Sequence, residues 1–403
     1  MRKAGALSQV NITRGLVVLG ALVLVLAPLL LSGSDYTLRL VTTAVVYAIA
    51  AYGMNIILGL TGQLSLAHAG FFGIGAYIVG ILTVDHDWSF WAAFAVAILG
   101  TAVGGYLAGL LALRTKEEYF AIYTMAVGTV IYLVIGRWDA VTHAHSGIIG
   151  VKFPEGAGIV DFSSPVALYY LAVVFLVLVV YATWAIKRST VGRNLMAIRT
   201  SEDLARSIGV NVGLGKQLAF AASTTVAGLA GGLYATTMGF LGPASASVNL
   251  TFEMLMFLLV GGMGTVFGPL IGSVLVVFLF ELFQDFQSYR FLVLGPIIIL
   301  LVIFAPRGIA GAWSALLGRL GGGRVGSATG TGASARVVRK AATAAGTPED
   351  AEARLASADT APGQGAGASD GTDSADGVGS ASADAPTEDT APRAGASTRG
   401  GTS

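Results

Sequence analysis

The sequence predicts an all-α integral membrane protein of about ten transmembrane helices, some broken at Gly-rich segments, with a disordered C-terminal tail. Three observations carry that reading. Of 403 residues, 54% are hydrophobic and only 12% charged, whereas a soluble chain has roughly twice that charged share. Long apolar runs alternate with short polar breaks through the first three quarters of the chain. Lysine and arginine gather on one side of that alternation.

Residues 1–14 form an N-terminal arm with Arg2, Lys3 and Arg14. The next run, 15–32, exceeds a signal-peptide core and precedes no soluble exported domain, so it reads as a retained span. Further spans are expected at 39–58, 63–82, 90–113, 118–135, 166–186, 217–238, 252–263, 268–284 and 291–305, giving a membrane domain at 15–310. Glycine interrupts the 63–82 and 252–263 runs. From 321 to 403 the chain is dominated by Ala, Gly, Ser, Thr, Asp and Pro. Such a segment buries too little apolar surface to offset its ordering entropy, so it is read as disordered.

With the N-terminus inside, fourteen basic residues fall in the cytoplasm: Arg2, Lys3, Arg14, Arg114, Lys116, Lys187, Arg188, Arg193, Arg199, Arg206, Lys216, Arg307, Arg319 and Arg324. Only Arg39, Arg137, Lys152 and Arg290 fall outside. The bias predicts cytoplasmic termini.

The loop 187–216 is the longest basic one. Within it Ser201 can cap a short helix, with Glu202 and Asp203 in its first turn and Arg206 nearer its end. Gly209 can supply the left-handed residue that closes it. Leu204 and Ile208 share a face, as do Ala205 and Ile208. Two turns do not hold together alone in water, so such a helix needs a surface to dock on. On pattern alone, an ordinary loop made basic by topology fits equally well.

Asp203-Leu204-Ala205-x-x-x-Gly209 resembles the Glu-Ala-Ala-x-x-x-Gly signature of ABC importer permeases, with Asp for Glu and Leu for the first Ala. The likeness extends to Val191-Gly-Arg193-Asn-Leu-Met-Ala-Ile-Arg199, the run from Leu60 through Gln63, Ser65, His68 and Gly70 to Tyr77, and Glu118 to Ile122. Ala227 to Tyr234, Gly261 to Pro269 and Ala305-Pro306-Arg307-Gly308 continue it in order. Together these resemble the branched-chain amino-acid permease family of ABC importers, from about residue 45 to 310. The resemblance implies a permease subunit in a bacterial plasma (inner) membrane, paired with a sister permease as a heterodimer. It further implies an external substrate-binding protein and cytoplasmic ATP-binding subunits that engage Arg193, Arg199, Glu202, Asp203, Leu204, Ala205 and Gly209.

Two Gly-rich stretches, Gly59 to Tyr77 and Gly261 to Gly272, interrupt otherwise good spans. Transporters place substrate at such broken helices, while small residues four apart also serve plain helix packing. In the first stretch Gln63, Ser65 and His68, joined by Asn55, bring polar side chains together and are expected to line a translocation path. His68 reads equally well as a satisfied buried histidine.

Other chemistry is weakly represented. The absence of cysteine excludes disulfides and thiolate chemistry. His143 and His145 with Asp139, and Asp85-His86-Asp87, read as loop polarity rather than metal sites. The phosphate-loop pattern fails around Gly215-Lys216, so no ATP-binding motif is present and no cofactor is expected on this chain. ATP would be used by partner subunits, making the chain a transport subunit and not an enzyme. No mid-span acid appears, which disfavours an ion-coupled secondary carrier, and the Gly-rich breaks disfavour a membrane scaffold. Urea, amide and other amino-acid permeases keep the same architecture and stay open as cargo alternatives. Membrane lipid is an expected partner and nucleic acid is not.

Overall fold

The computed structural model describes residues 34–112, 117–156 and 162–284, together with 20, 24–29, 295, 308, 309 and 311. Of the expected span 15–32 only residues 20 and 24–29 are described, and of 291–305 only residue 295; the tail 321–403 lies outside the described residues.

The elements in order are α1 (Asp35–Met54), extended by a π turn (Asn55–Gly59), α2 (His68–Val84), α3 (Phe90–Ala112) and α4 (Glu117–Arg137). Then come α5 (Asp139–Thr142), β1 (Ile148–Ile149), α6 (Pro165–Arg188), α7 (Thr190–Thr200) and α8 (Glu202–Ser207). The series ends with α9 (Val212–Met238), β2 (Phe240–Leu241), α10 (Val248–Gly261) and α11 (Gly268–Leu282). Among the described residues, α1 with its π turn, α3, α4, α6 and α9 are long and apolar enough to cross a membrane unaided. The apolar helices α2, α10 and α11 are shorter.

Two expected spans change. The 63–82 span starts as a helix only at His68: Gly62 adopts φ +80° and residues 62–67 are not helical. The 252–263 span begins earlier, at Val248, because Ser247 caps it by accepting from the Leu250 N–H at 3.4 Å. It stops before Gly262, whose φ is +116°.

The most buried spans are α1 and α9, 83% and 67% buried, against 28% for α3 and α4. Ala44, Val45, Val46, Ala48, Ile49, Ala50 and Ala51 of α1 are fully enclosed. Such an all-round apolar helix belongs in the centre of a bundle. The contact between α2 and α9 depends on glycine: a Cβ on Gly75 would stand 2.2 Å from the Gly228 carbonyl oxygen. Close backbone approach of this kind drives helix association in lipid, where apolar surface alone gives no advantage. Tyr47, Phe72, Tyr234 and Phe257 pack as an aromatic cluster with ring centroids 5.2–6.2 Å apart. On the outer flanks Leu99, Val103 and Leu107 of α3 and Ile122 and Val130 of α4 are exposed, as lipid-facing residues must be.

The bundle has two ends. One carries α7 and α8. At the other, β1 pairs antiparallel with β2, Ile148 opposite Leu241 and Ile149 opposite Phe240. His143 meets Asp85 there at 3.0 Å, and Lys152 meets Asp87 at 2.6 Å. The Lys152 ammonium holds the Asp87 carboxyl below its ordinary value. The segments 136–165 and 239–251, which lie between expected spans, are thus joined by a sheet. The second of them also enters the bundle: Ser245 and Ala246 are buried, and a Cβ on Gly73 would touch the Ala246 Cβ at 2.5 Å.

Candidate functional site: two helix breaks under a basic loop

The chain leaves α1 at the α8 end of the bundle and turns back through residues 62–67 before α2 begins. Ala67, at the start of α2, makes no side-chain cap. The orphan donors of a first turn must still be satisfied, and another helix does it. Thr251 of α10 accepts from the Ala69 N–H at 3.1 Å and donates to the Leu66 carbonyl at 3.4 Å. Thr124 of α4 accepts from the Leu66 N–H at 3.0 Å. The start of α2 and the first turn of α10 therefore meet inside the bundle, the first reached from the α8 end and the second from the sheet end.

The second break, residues 262–267, closes largely on itself. The Thr265 hydroxyl donates to the Gly262 carbonyl at 2.8 Å and accepts from the Gly268 N–H at 3.0 Å. Asn55, in the π turn, clamps it from α1: its Oδ1 accepts from the Gly264 N–H at 2.8 Å and its Nδ2 donates to the Thr265 carbonyl at 3.1 Å. The Tyr52 hydroxyl donates to the Val266 carbonyl at 2.5 Å.

Asn55, Gln63, Ser65 and His68 are all buried, exposed by 6% or less. Their polar atoms are used differently. Asn55 spends its amide on the second break. His68 meets the Ala50 carbonyl through Nε2 at 2.8 Å and the Ser223 hydroxyl through Nδ1 at 3.4 Å, so its ring is satisfied within the core. Gln63 Oε1 is buried with no hydrogen-bond partner among the described residues.

In the basic loop, Ser201 accepts from the Leu204 N–H at 3.3 Å, and Glu202 and Asp203 occupy the first turn of α8. At its end Gly209 sits at φ +85°. Its N–H donates to the Arg206 carbonyl at 3.1 Å while the Val210 N–H reaches Ala205 at 3.0 Å. That pair of bonds is a Schellman closure. Ala205 is buried, whereas Leu204 and Ile208 are 62% and 68% exposed. Arg206 pairs with Asp203 at 3.3 Å. Glu202 pairs with the buried Lys216 of α9, fixing α8 to the bundle. Arg193 braces the corner between α6 and α7, donating to the Arg188 carbonyl at 3.1 Å and the Thr190 hydroxyl at 3.0 Å. Arg199 turns inward and donates to the Gly59 carbonyl at 2.5 Å. Lys187 donates to the Gly264 carbonyl.

A family described as branched-chain amino acid transport system / permease component matches residues 36–306. The chain belongs to this family. The match takes in both breaks and the whole basic loop. This permease is 30% identical over 296 residues to the high-affinity branched-chain amino acid transport system permease protein LivM of Escherichia coli, 68% of this chain and 69% of that one. LivM of Salmonella typhimurium is 30% identical over 291 residues, 66% and 68% of the two chains. The ribose import permease protein RbsC of Haemophilus influenzae is 26% identical over 282 residues, 67% and 84% of the two chains. No solved structure matches.

Sequence reasoning missed four contributors to the permease's site: Lys187, Tyr52, Thr124 and Thr251. Lys187 counted only as topological charge. The threonines carry no local signal, because what they cap lies more than fifty residues away in the chain.

Proposed function

We propose that the chain is the transmembrane permease subunit of an ATP-driven ABC importer that passes branched-chain amino acids delivered by an external binding protein. The observation that carries the reading is α8, a helix capped at both ends that holds Leu204 and Ile208 out to solvent beside a cluster of basic residues. Exposed apolar side chains on a short, rigidly closed helix suit insertion into a groove of a partner protein. The α8 end is then cytoplasmic and receives the ATP-binding subunits. The sheet end faces the binding protein, and a sister permease completes the pathway. Substrate passes beside the first break, where Gln63 offers an amide oxygen unengaged among the described residues.

Reconstitution tests this. The chain, co-expressed with candidate ATPase subunits and a sister permease, is expected to co-purify with them and take up leucine in proteoliposomes only with internal ATP and the binding protein. The relatives named for ribose and autoinducer 2 import favour a second reading with different cargo. Competition by unlabelled leucine, ribose and urea separates the two: ATP-driven uptake indifferent to excess leucine refutes the amino-acid assignment.

A further inference from the structure

We propose that Lys187 and Arg199 are positioning residues that carry movement of the α7–α8 loop to both helix breaks at once. The inference rests on the proposed function, since it takes the loop as the element a partner ATPase moves.

The two cations bracket one rigid rod. Lys187 lies two residues before Ser189, the N-cap of α7, and Arg199 lies two residues before Ser201, the N-cap of α8. Lys187 is bonded within the second break, and Arg199 to the π turn that leads into the first. Arg199 donates to Gly59, the residue that ends the π turn ahead of 62–67. Lys187 donates to Gly264, in the middle of 262–267. Glycine gives Arg199 the room to lie between the breaks. A Cβ on Gly62 would come within 3.1 Å of Arg199 Cγ, and one on Gly264 within 3.2 Å of Arg199 Nη1. Arg199 thus lies against both breaks while bonding the π turn that leads into the first.

The breaks are also tied to each other, because Asn55 belongs to the π turn of the first and holds the backbone of the second. Charge-assisted bonds to carbonyls are stronger and more directional than neutral ones. A tilt of α7 about either end therefore withdraws or reseats a donor on each break, and Asn55 makes the two shift together. Both cations are bonded to backbone carbonyls of the bundle, so their role is transmission and not docking.

The chain has no cysteine, so Leu64→Cys and Met263→Cys can carry spin labels, one in each break, within the assembled complex in nanodiscs. Pulsed dipolar spectroscopy then reads the distance between labels with and without ATP plus vanadate. The parent complex is expected to show a nucleotide-dependent shift. A Lys187→Gln/Arg199→Gln variant is expected to lose that shift, with leucine uptake per ATP hydrolysed reduced about tenfold. Arg199→Lys keeps a donor and is expected to retain the shift, which separates lost transmission from lost folding. An undiminished shift in the double variant overturns the proposal, as does a parent complex that hydrolyses ATP without any shift. A chain that binds no ATPase subunit overturns the proposed function and the relay with it.

Discussion

The break before α2 and the break before α11 are equal in length, residues 62–67 and 262–267, and both sit at or near the α8 end of the bundle. They are held in different ways. The second is a self-closed turn, with Thr265 bonding both of its ends and Asn55 and Tyr52 clamping it from α1. The first is closed only at its start, where the Thr61 hydroxyl accepts from the Gln63 N–H at 3.4 Å, and no hydroxyl bonds both of its ends. Its backbone is held by Thr124 and Thr251, hydroxyls on two other helices, and of the two breaks it carries the buried amide oxygen that has no partner among the described residues. A segment held by its neighbours moves when they move. A segment closed on itself shifts as one rigid piece with whatever grips it. This difference supports the first break as the place substrate passes and the second as a rigid piece that moves with α1 and the basic loop.

The strongest way to break the contrast is Asn55→Leu. It removes one donor and one acceptor from a buried node and leaves Gly264 N–H and Thr265 C=O unanswered. Each buried orphan costs about 1–3 kcal/mol, so the variant is expected to lose several degrees of thermal stability in detergent and much of its yield. A melting temperature equal to the parent's would show that Asn55 is not the clamp.

Thr251→Val probes the other break. The exchange keeps the shape, removes the hydroxyl that caps α2, and is expected to cost about 1–2 kcal/mol. Protection from hydrogen exchange should fall at residues 66–70 and stay unchanged at 262–267. Equal loss at both would erase the distinction between them.

Gly209→Val comes next. Open space surrounds the position, with nothing within 4 Å of an added Cβ. The penalty is therefore the left-handed backbone alone, about 1–2 kcal/mol. Membrane insertion is expected to survive while hydrolysis and uptake uncouple. Normal coupling in this variant would count against α8 as the docking element.

Much of this was legible in the sequence. The caps of α8 are local: Ser201, Glu202, Asp203 and Gly209 act within a few residues of one another, and their order along the chain encodes their geometry. The breaks were legible as Gly-rich stretches but their bounds were not: the expected spans 63–82 and 252–263 each run into the non-helical residues that Gly62, Gly262 and Gly264 mark with positive φ. What holds the breaks was not legible. The partners of Asn55 lie more than two hundred residues away, and a polar residue inside an apolar run reads the same whether it faces substrate or a distant backbone. His68 is the sharpest case: the sequence left it between path and core, and both its ring nitrogens are engaged in the core. Lys187 and Arg199 were counted by sign, which orients a span but says nothing of which carbonyl a side chain reaches.

Gln63→Leu is expected to have the smallest effect on folding and the most selective effect on transport. In most buried positions, replacing an amide removes hydrogen bonds that the fold depends on. Here Oε1 has no partner among the described residues, so its loss relieves a desolvated acceptor instead of stranding one, and stability should be unchanged or slightly raised. An unengaged acceptor in a buried site carries a standing cost that a donor on a passing substrate would relieve. Uptake by the reconstituted complex should then show a raised KM for substrate with the melting temperature kept. A variant that is both as stable and as active as the parent would move the path away from 62–67, and the contrast between the breaks would reduce to one of packing.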